Sequence, residues 1–206
     1  MYLSKLELNP DSSRVRKALA NPYQLHRTIM TAFMDNLKER QVESKILFKI
    51  NKKPKNYRPS ILIQSALRPD WTTLMKDASY LVMAPLVKEF QYPKFKKGST
   101  YQFQLLANPT KKTGGKRVGM YKDEEQFDWL KRKAEMGGFK INLVGITYRE
   151  EITARANKNS NAMTFQGVQF EGVLQIEDPE KFVFVIENGL GSGKPFGFGF
   201  LTISKA

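Results

Sequence analysis

The sequence contains no cysteine and a single histidine, His26. The first absence excludes disulfides, thiolate zinc sites and cysteine nucleophiles. The second leaves too few imidazoles for a transition-metal site built from side chains. A metal held by carboxylates would need a cluster of acids, and none stands out, so neither metal nor cofactor is expected. Acids are scarce throughout: 20 Asp and Glu face 34 Lys and Arg, for a formal net charge of +14. No stretch approaches the ~18 consecutive apolar residues of a membrane span. Residues 1–8 alternate polar and apolar side chains and carry charge, unlike the apolar core of a secretory signal. A soluble, cytoplasmic chain with no membrane partner, monomeric in isolation, is the expectation.

What is present suits a folded protein. A chain of 206 residues makes one large domain or two small ones, and 41% hydrophobic residues with 12% aromatics can fill a core. The basic excess bears on partners rather than on fold. Residues 1–94 hold 17 basic and 8 acidic residues, and residues 95–206 hold 17 and 12. Both halves are basic, which favours a folded surface for a polyanion over a detachable tail. Nucleic acid is the first candidate and an anionic membrane surface the second.

Periodicity organises each half alike. Residues 2–8 alternate as a strand until Asn9-Pro10-Asp11 breaks them, and Arg14–Ala20 reads as a short basic helical turn. A strong helix start follows, with Asn21 as cap, Pro22 at the first helical position and Gln24 three residues after the cap. Leu25, Ile29, Phe33 and Leu37 then recur at helical spacing to about Arg40. Strands are expected at Lys45–Ile50 and Ser60–Gln64, joined by the basic loop 51–56, then a short helix at Trp71–Ala78 and a strand within 81–90. The second half gives a strand at Thr100–Leu106, a loop at Asn108–Gly119, and a helix at Asp123–Met136 that begins with acids and stops at Gly137-Gly138. A long hairpin pairs Lys140–Ile152 with Thr164–Ile176, followed by a short helix at Pro179–Phe184 and a last strand at Phe198–Ile203. Two successive βαββαβ orders point to an α+β protein of tandem ferredoxin-like domains. The expected domains are 1–94, carrying the long helix, and 95–206, carrying the basic loop, hairpin and glycine-rich segment.

Tyr23, His26 and Arg27 sit three and four residues apart at the start of that helix, beyond the edge of its apolar stripe. A helix N-terminus has spare backbone donors and partial positive charge, which favour a phosphate. A phenol, a titratable imidazole and a forked guanidinium are the groups needed when a ribose 2′-hydroxyl attacks its neighbouring phosphorus. On spacing alone the plainer reading carries more weight: His26 as a surface or hydrogen-bonding histidine, Tyr23 as a packing residue and Arg27 as a solvated charge.

Three basic segments are further candidates for RNA contact. Lys111, Lys112, Lys116 and Arg117 crowd a loop around Gly114-Gly115 with no acid, a composition suited to clamping phosphates. Arg149, Arg155 and Lys158 flank or occupy the tip of the long hairpin, diluted by Glu150 and Glu151. The loop Lys52-Lys53-Pro54-Lys55 is the least specific. The first of them reads equally well as an ordinary solvated loop. Gly189, Gly191, Gly193, Gly197 and Gly199 form the most unusual stretch. It is not a nucleoside triphosphate loop, because Asn188 stands where that motif needs its first glycine and Pro195 where it needs Ser or Thr. A tight turn into a core strand is the structural alternative.

Taken together, Leu3-Ser4-Lys5-Leu6 and Ala20-Asn21-Pro22-Tyr23-Gln24-Leu25-His26-Arg27 resemble the N-terminus of the CasE family, the type I-E CRISPR RNA-processing endoribonucleases. Leu62-Ile63-Gln64-Ser65, Pro69-Asp70-Trp71, Ala107-Asn108-Pro109-Thr110-Lys111 and Gly115-Lys116-Arg117 are similar to that family as well. The glycine-rich segment resembles the C-terminal loop of the wider repeat-associated RNA-binding superfamily. The matches run the length of the chain in order. The resemblance implies tandem ferredoxin-like domains and metal-independent cleavage of CRISPR precursor RNA just 3′ of the repeat hairpin. It further implies a 2′,3′-cyclic phosphate product and retention of the cut RNA within the multisubunit Cascade complex. By motif position it makes His26 the catalytic histidine, as base or as acid, and Tyr23 its partner, while the basic loop and hairpin hold the RNA stem. A non-catalytic hairpin-binding subunit is the alternative. A DNA-binding regulator is weaker, since no helix-turn-helix with a basic recognition helix is evident.

Overall fold

The computed structural model describes residues 1–36, 46–51, 58–155 and 161–205. They group into two compact units. The first comprises Met1–Gln91, Thr153–Met163 and Pro195–Gly197, and the second Tyr92–Ile152, Thr164–Lys194 and Phe198–Ala206. The separation thus falls at Gln91/Tyr92, and two short later segments return to the first unit.

In the first unit the order is β1 (Tyr2–Glu7), α1 (Ser13–Ala20), α2 (Pro22–Met30), β2 (Leu47–Asn51), β3 (Ser60–Ser65), α3 (Thr72–Met75) and β4 (Leu86–Glu89). The strands form one sheet in the order β2-β3-β1-β4. β1 runs antiparallel to both neighbours, with Tyr2 opposite Ser65 and Glu89. Alternation along β1 turns Ser4, Leu6 and then Leu8 inward. Ser4 is tolerated there because its hydroxyl accepts the indole N–H of buried Trp71 at 3.3 Å. Leu25, Ile29 and Phe33 form the buried stripe expected of α2 and pack with Val15, Phe48, Ile61 and Ile63. The α-helix itself stops at Met30 and tightens into a 3₁₀ turn over Thr31–Asn36. The hydroxyls of Thr28 and Thr31 bond back to the carbonyls of Gln24 and Thr28 at that transition, a competition that bends helices. Leu37 to Arg40, residues 41–45 and the loop 52–57 lie outside the described residues.

The second unit repeats the plan: β5 (Thr100–Ala107), β6 (Thr110–Thr113), β7 (Lys116–Gly119), α4 (Asp123–Met136), β8 (Phe139–Ala154), β9 (Met163–Ile176), α5 (Pro179–Asn188) and β10 (Thr202–Lys205). Its main sheet has the order β10-β5-β9-β8. Numbered within each repeat, both sheets read 4-1-3-2 or its reverse, the ferredoxin-like order expected from the pattern. The core joins Phe103, Leu105, Val168, Phe170 and Leu174 of the sheet to Trp129, Leu130, Phe182 and Ile186 of the helices.

Three elements of this unit differ from expectation. The segment read as a loop at 108–119 is a hairpin, β6 against β7, with Thr113 opposite Lys116. Its two connecting residues, Gly114 and Gly115, have φ of 56° and 78°, the positive pair that a two-residue hairpin turn requires. The helix begun at Pro179 runs on to Asn188, capped by Asp178, whose carboxylate accepts the N–H groups of Glu180 and Lys181. The last strand starts at Thr202 rather than Phe198. Residues before it turn back on themselves, with Leu190 N–H donating to the Gly199 carbonyl at 2.9 Å and Gly199 N–H to that of Leu106 at 2.8 Å.

Candidate active site and nucleic-acid interface

Asn21 builds the first site. Its extended backbone (φ −134°, ψ 97°) lets the side-chain oxygen accept the N–H of Tyr23 at 3.2 Å, and Pro22 follows at the first helical position. Leu25 and Ile29 are fully buried beneath, which rolls Tyr23 and His26 to half-buried positions on the flank and leaves Arg27 exposed. The first turn carries no acid, so nothing on the helix itself offsets its partial positive end. The result is a phenol, an imidazole and a guanidinium on one flank of a helix end that favours an anion.

Asn21 also does something its position as a cap does not reveal. Its amide nitrogen donates to the Arg155 carbonyl at 2.8 Å, and its oxygen accepts the Arg155 N–H at 3.3 Å. The backbone at Arg155 is thereby fixed to the start of α2 within the first unit. Of the residues expected to bind RNA, Arg155 has its backbone held at the start of the helix that carries Tyr23, His26 and Arg27. No local signal could have shown this, because the partners are 134 residues apart. Lys158 lies outside the described residues.

The other expected cations divide into two groups. Lys111 pairs with Glu125 at 2.6 Å, and Arg149 pairs with Asp123 at 2.6 Å while donating to Gln126 at 3.3 Å. Both therefore meet side chains on the first turns of α4, and the bond from Lys111 holds the Glu125 carboxyl below its ordinary range. Among the described residues Lys112, Lys116 and Arg117 have no acidic partner, Arg117 donating only to the Thr110 hydroxyl at 3.3 Å.

All five glycines of the C-terminal segment have φ between 75° and 87°. At Gly199 a Cβ would stand 2.6 Å from the Leu190 carbonyl oxygen, so both conformation and space require glycine there. Gly191 rests on Trp129 in the second unit and Gly197 on Phe48 in the first. The segment turns back on itself, but the strand after it, β10, is a partly exposed edge strand that begins at Thr202 rather than the core strand of the structural reading. Within the segment, burial and the neighbouring charge of Lys133 lower the pKa of Lys194. Among the described residues, no three His, Asp or Glu side chains converge as metal ligands, and no helix is long and apolar enough to cross a membrane.

Against this geometry stand the comparisons with known proteins. The sequence model of the family described as "CRISPR associated protein" matches residues 1–205. The chain belongs to that family. It is 33% identical over 216 aligned residues to the CRISPR-associated endoribonuclease Cse3 of Thermus thermophilus, covering 99% of this chain and 100% of the relative. It is 28% identical over 217 residues to the CRISPR system Cascade subunit CasE of Escherichia coli, covering 99% of each. Its fold matches the structure of CRISPR endoribonuclease Cse3 bound to a 19-nucleotide RNA with a TM-score of 0.88, at 34% identity over 99% of this chain and 100% of that one. The CasE resemblance and the ferredoxin-like fold are both borne out.

Proposed function

We propose that this protein is a CRISPR RNA-processing endoribonuclease that cuts precursor RNA at the 3′ base of the repeat hairpin. The end-to-end similarity to a Cse3 endoribonuclease carries this reading, and the α2 N-terminus supplies chemistry suited to it. The ribose 2′-oxygen attacks the adjacent phosphorus as its proton is removed, and the leaving 5′-oxygen takes up a proton. The products are a 2′,3′-cyclic phosphate and a 5′-hydroxyl. His26 is one of the two proton-transfer groups, and Tyr23, three residues earlier on the same flank, is its partner. Arg27 and the partial positive charge of the α2 N-terminus favour the charge that builds on the phosphoryl oxygens. No metal takes part in this scheme.

The cut RNA stays bound, held by Lys112, Lys116 and Arg117 of the β6–β7 hairpin, by Arg155, and at the glycine-rich segment. The protein works as a subunit of a Cascade complex, as the CasE relative's name says of that protein, and in the cytoplasm. The test is incubation with the organism's own repeat RNA in the presence of chelator. Cleavage should proceed, and replacing the 2′-hydroxyl at the scissile nucleotide by hydrogen should abolish it. Cutting of the deoxy substrate would overturn the mechanism; tight binding with no cutting of all-ribose RNA would leave a hairpin-sheltering subunit instead.

A further inference from the structure

The two faces of the β6–β7 hairpin are not equivalent. Thr110 lies opposite Gly119, and Lys112 opposite Arg117, while Lys111 lies opposite Val118, and Thr113 opposite Lys116. Side chains alternate along a strand, and directly opposed residues share a face. One face therefore carries Thr110, Lys112, Arg117 and the bare Gly119, and the other carries Lys111, Thr113, Lys116 and Val118. Lys111 reaches Glu125 of α4, so the second face is the one directed at the helix. The first face has no acid of its own.

Tyr121 completes that first face. A Cβ on Gly119 would point into it, and at 3.4 Å it would meet Cε2, Cζ and Oη of the Tyr121 ring. The glycine lets the ring lie against the strand. The tyrosine is nonetheless 64% exposed, and among the described residues its hydroxyl has no hydrogen-bond partner. Arg117 reaches across to Thr110, the residue opposite Gly119. An exposed aromatic ring, a guanidinium and an ammonium thus share one face of the hairpin. A duplex stem can use the two cations but offers a ring no base face except at its end. An unpaired nucleotide can use all three, with its base on the ring and its phosphates on the cations.

We propose that this face of the hairpin is a binding site for one unpaired nucleotide of the RNA, its base stacked on Tyr121 and its phosphates held by Arg117 and Lys112. The site rests on the RNA-processing reading above and adds to it a single-strand contact. It predicts a division of labour in binding. Stacking contributes affinity that is insensitive to salt, whereas the cations contribute affinity that falls as salt rises.

The experiment measures binding of 2′-O-methyl repeat RNA, which lacks the attacking hydroxyl, across a salt series. Tyr121→Ala should weaken binding by about 5- to 100-fold, the usual range for loss of one base–aromatic stack, without changing the salt slope. Tyr121→Phe should bind as the wild type does. Arg117→Ala should weaken binding and make the slope shallower by roughly one. With abasic sites in the hairpin loop or, separately, in the single-stranded flanks, the Tyr121→Ala penalty should vanish in one of the two RNAs, identifying the nucleotide. Wild-type affinity in Tyr121→Ala, or a Tyr121→Phe defect as large as that of Ala, would overturn the stacking site while the enzyme reading stands. Failure of the wild-type protein to bind the RNA at all would overturn both.

Discussion

The second β-α step of the chain makes an instructive contrast with the first. Each unit sends its first strand into a helix that packs on the sheet, α2 in one and α4 in the other, yet the two helix ends are electrically opposite. The first turn of α4 holds Asp123, Glu124 and Glu125, and two of these acids capture Arg149 and Lys111. Its positive end is neutralised from within the unit. The first turn of α2 is Pro22, Tyr23 and Gln24, capped by a neutral asparagine. That end carries no acid of its own, with His26 and Arg27 one turn further on. One position in the fold is acidic and ion-paired in the second unit and acid-free in the first, and the reading proposed above places the chemistry at the acid-free end.

The largest effect that tests this contrast is at His26. His26→Ala should slow single-turnover cleavage by about 10²- to 10⁴-fold, the usual worth of a general acid or base, while hairpin RNA affinity changes little. The position five residues after the cap in α4 is Phe127, which packs against the core of its unit. Phe127→Ala should lower thermal stability and leave the cleavage rate per folded molecule unchanged. Equal rates for wild type and His26→Ala would remove α2 from the chemistry.

This contrast was legible in part. The Asn-Pro start, the Leu25/Ile29/Phe33 stripe and the acid-rich start at Asp123 are local signals, and local signals report helix ends and buried faces well. The 4-1-3-2 strand order also followed from two βαββαβ patterns, because alternation and turn residues mark strands. Long-range contacts left no such trace. Nothing near Lys111 or Arg149 reveals that Glu125 and Asp123 will claim them, and nothing near Asn21 points to Arg155. The β6–β7 hairpin was concealed differently. Its strands are four residues each and rich in lysine, so they lack the apolar alternation that identifies longer strands, and only Gly114-Gly115 announced the turn.

A smaller effect comes from giving α2 the acid that α4 already has. Gln24→Glu places a carboxylate in the first turn, where it complements the helix dipole and should hold or slightly raise thermal stability. The same carboxylate opposes a phosphate at that end. RNA affinity and cleavage should both fall by roughly two- to fivefold, equivalent to the ~0.3–1 kcal/mol of a charge at a helix terminus. A rise in stability with undiminished cleavage would show that the RNA phosphate sits elsewhere.

The smallest effect reverses the exchange in the second unit. Glu125→Gln removes the partner of Lys111 and keeps the shape of the side chain. The freed ammonium should add about one phosphate contact, steepening the salt dependence of RNA binding by up to roughly 0.9 in the log–log slope. The carboxyl of Glu125 is held below its ordinary value of 4.5 first by the hydrogen bond from Lys111. A lowered carboxyl contributes stability above that ordinary value and loses it as pH falls through the lowered one. Wild-type protein should therefore lose the contribution on acidification below about 4.5, and Glu125→Gln should lack that component at every pH. The pair is exposed and the stability change small, so the salt slope is the sharper readout. An unchanged slope would mean that Lys111 serves α4 alone, and the cations that meet RNA would then be those on the hairpin's other face.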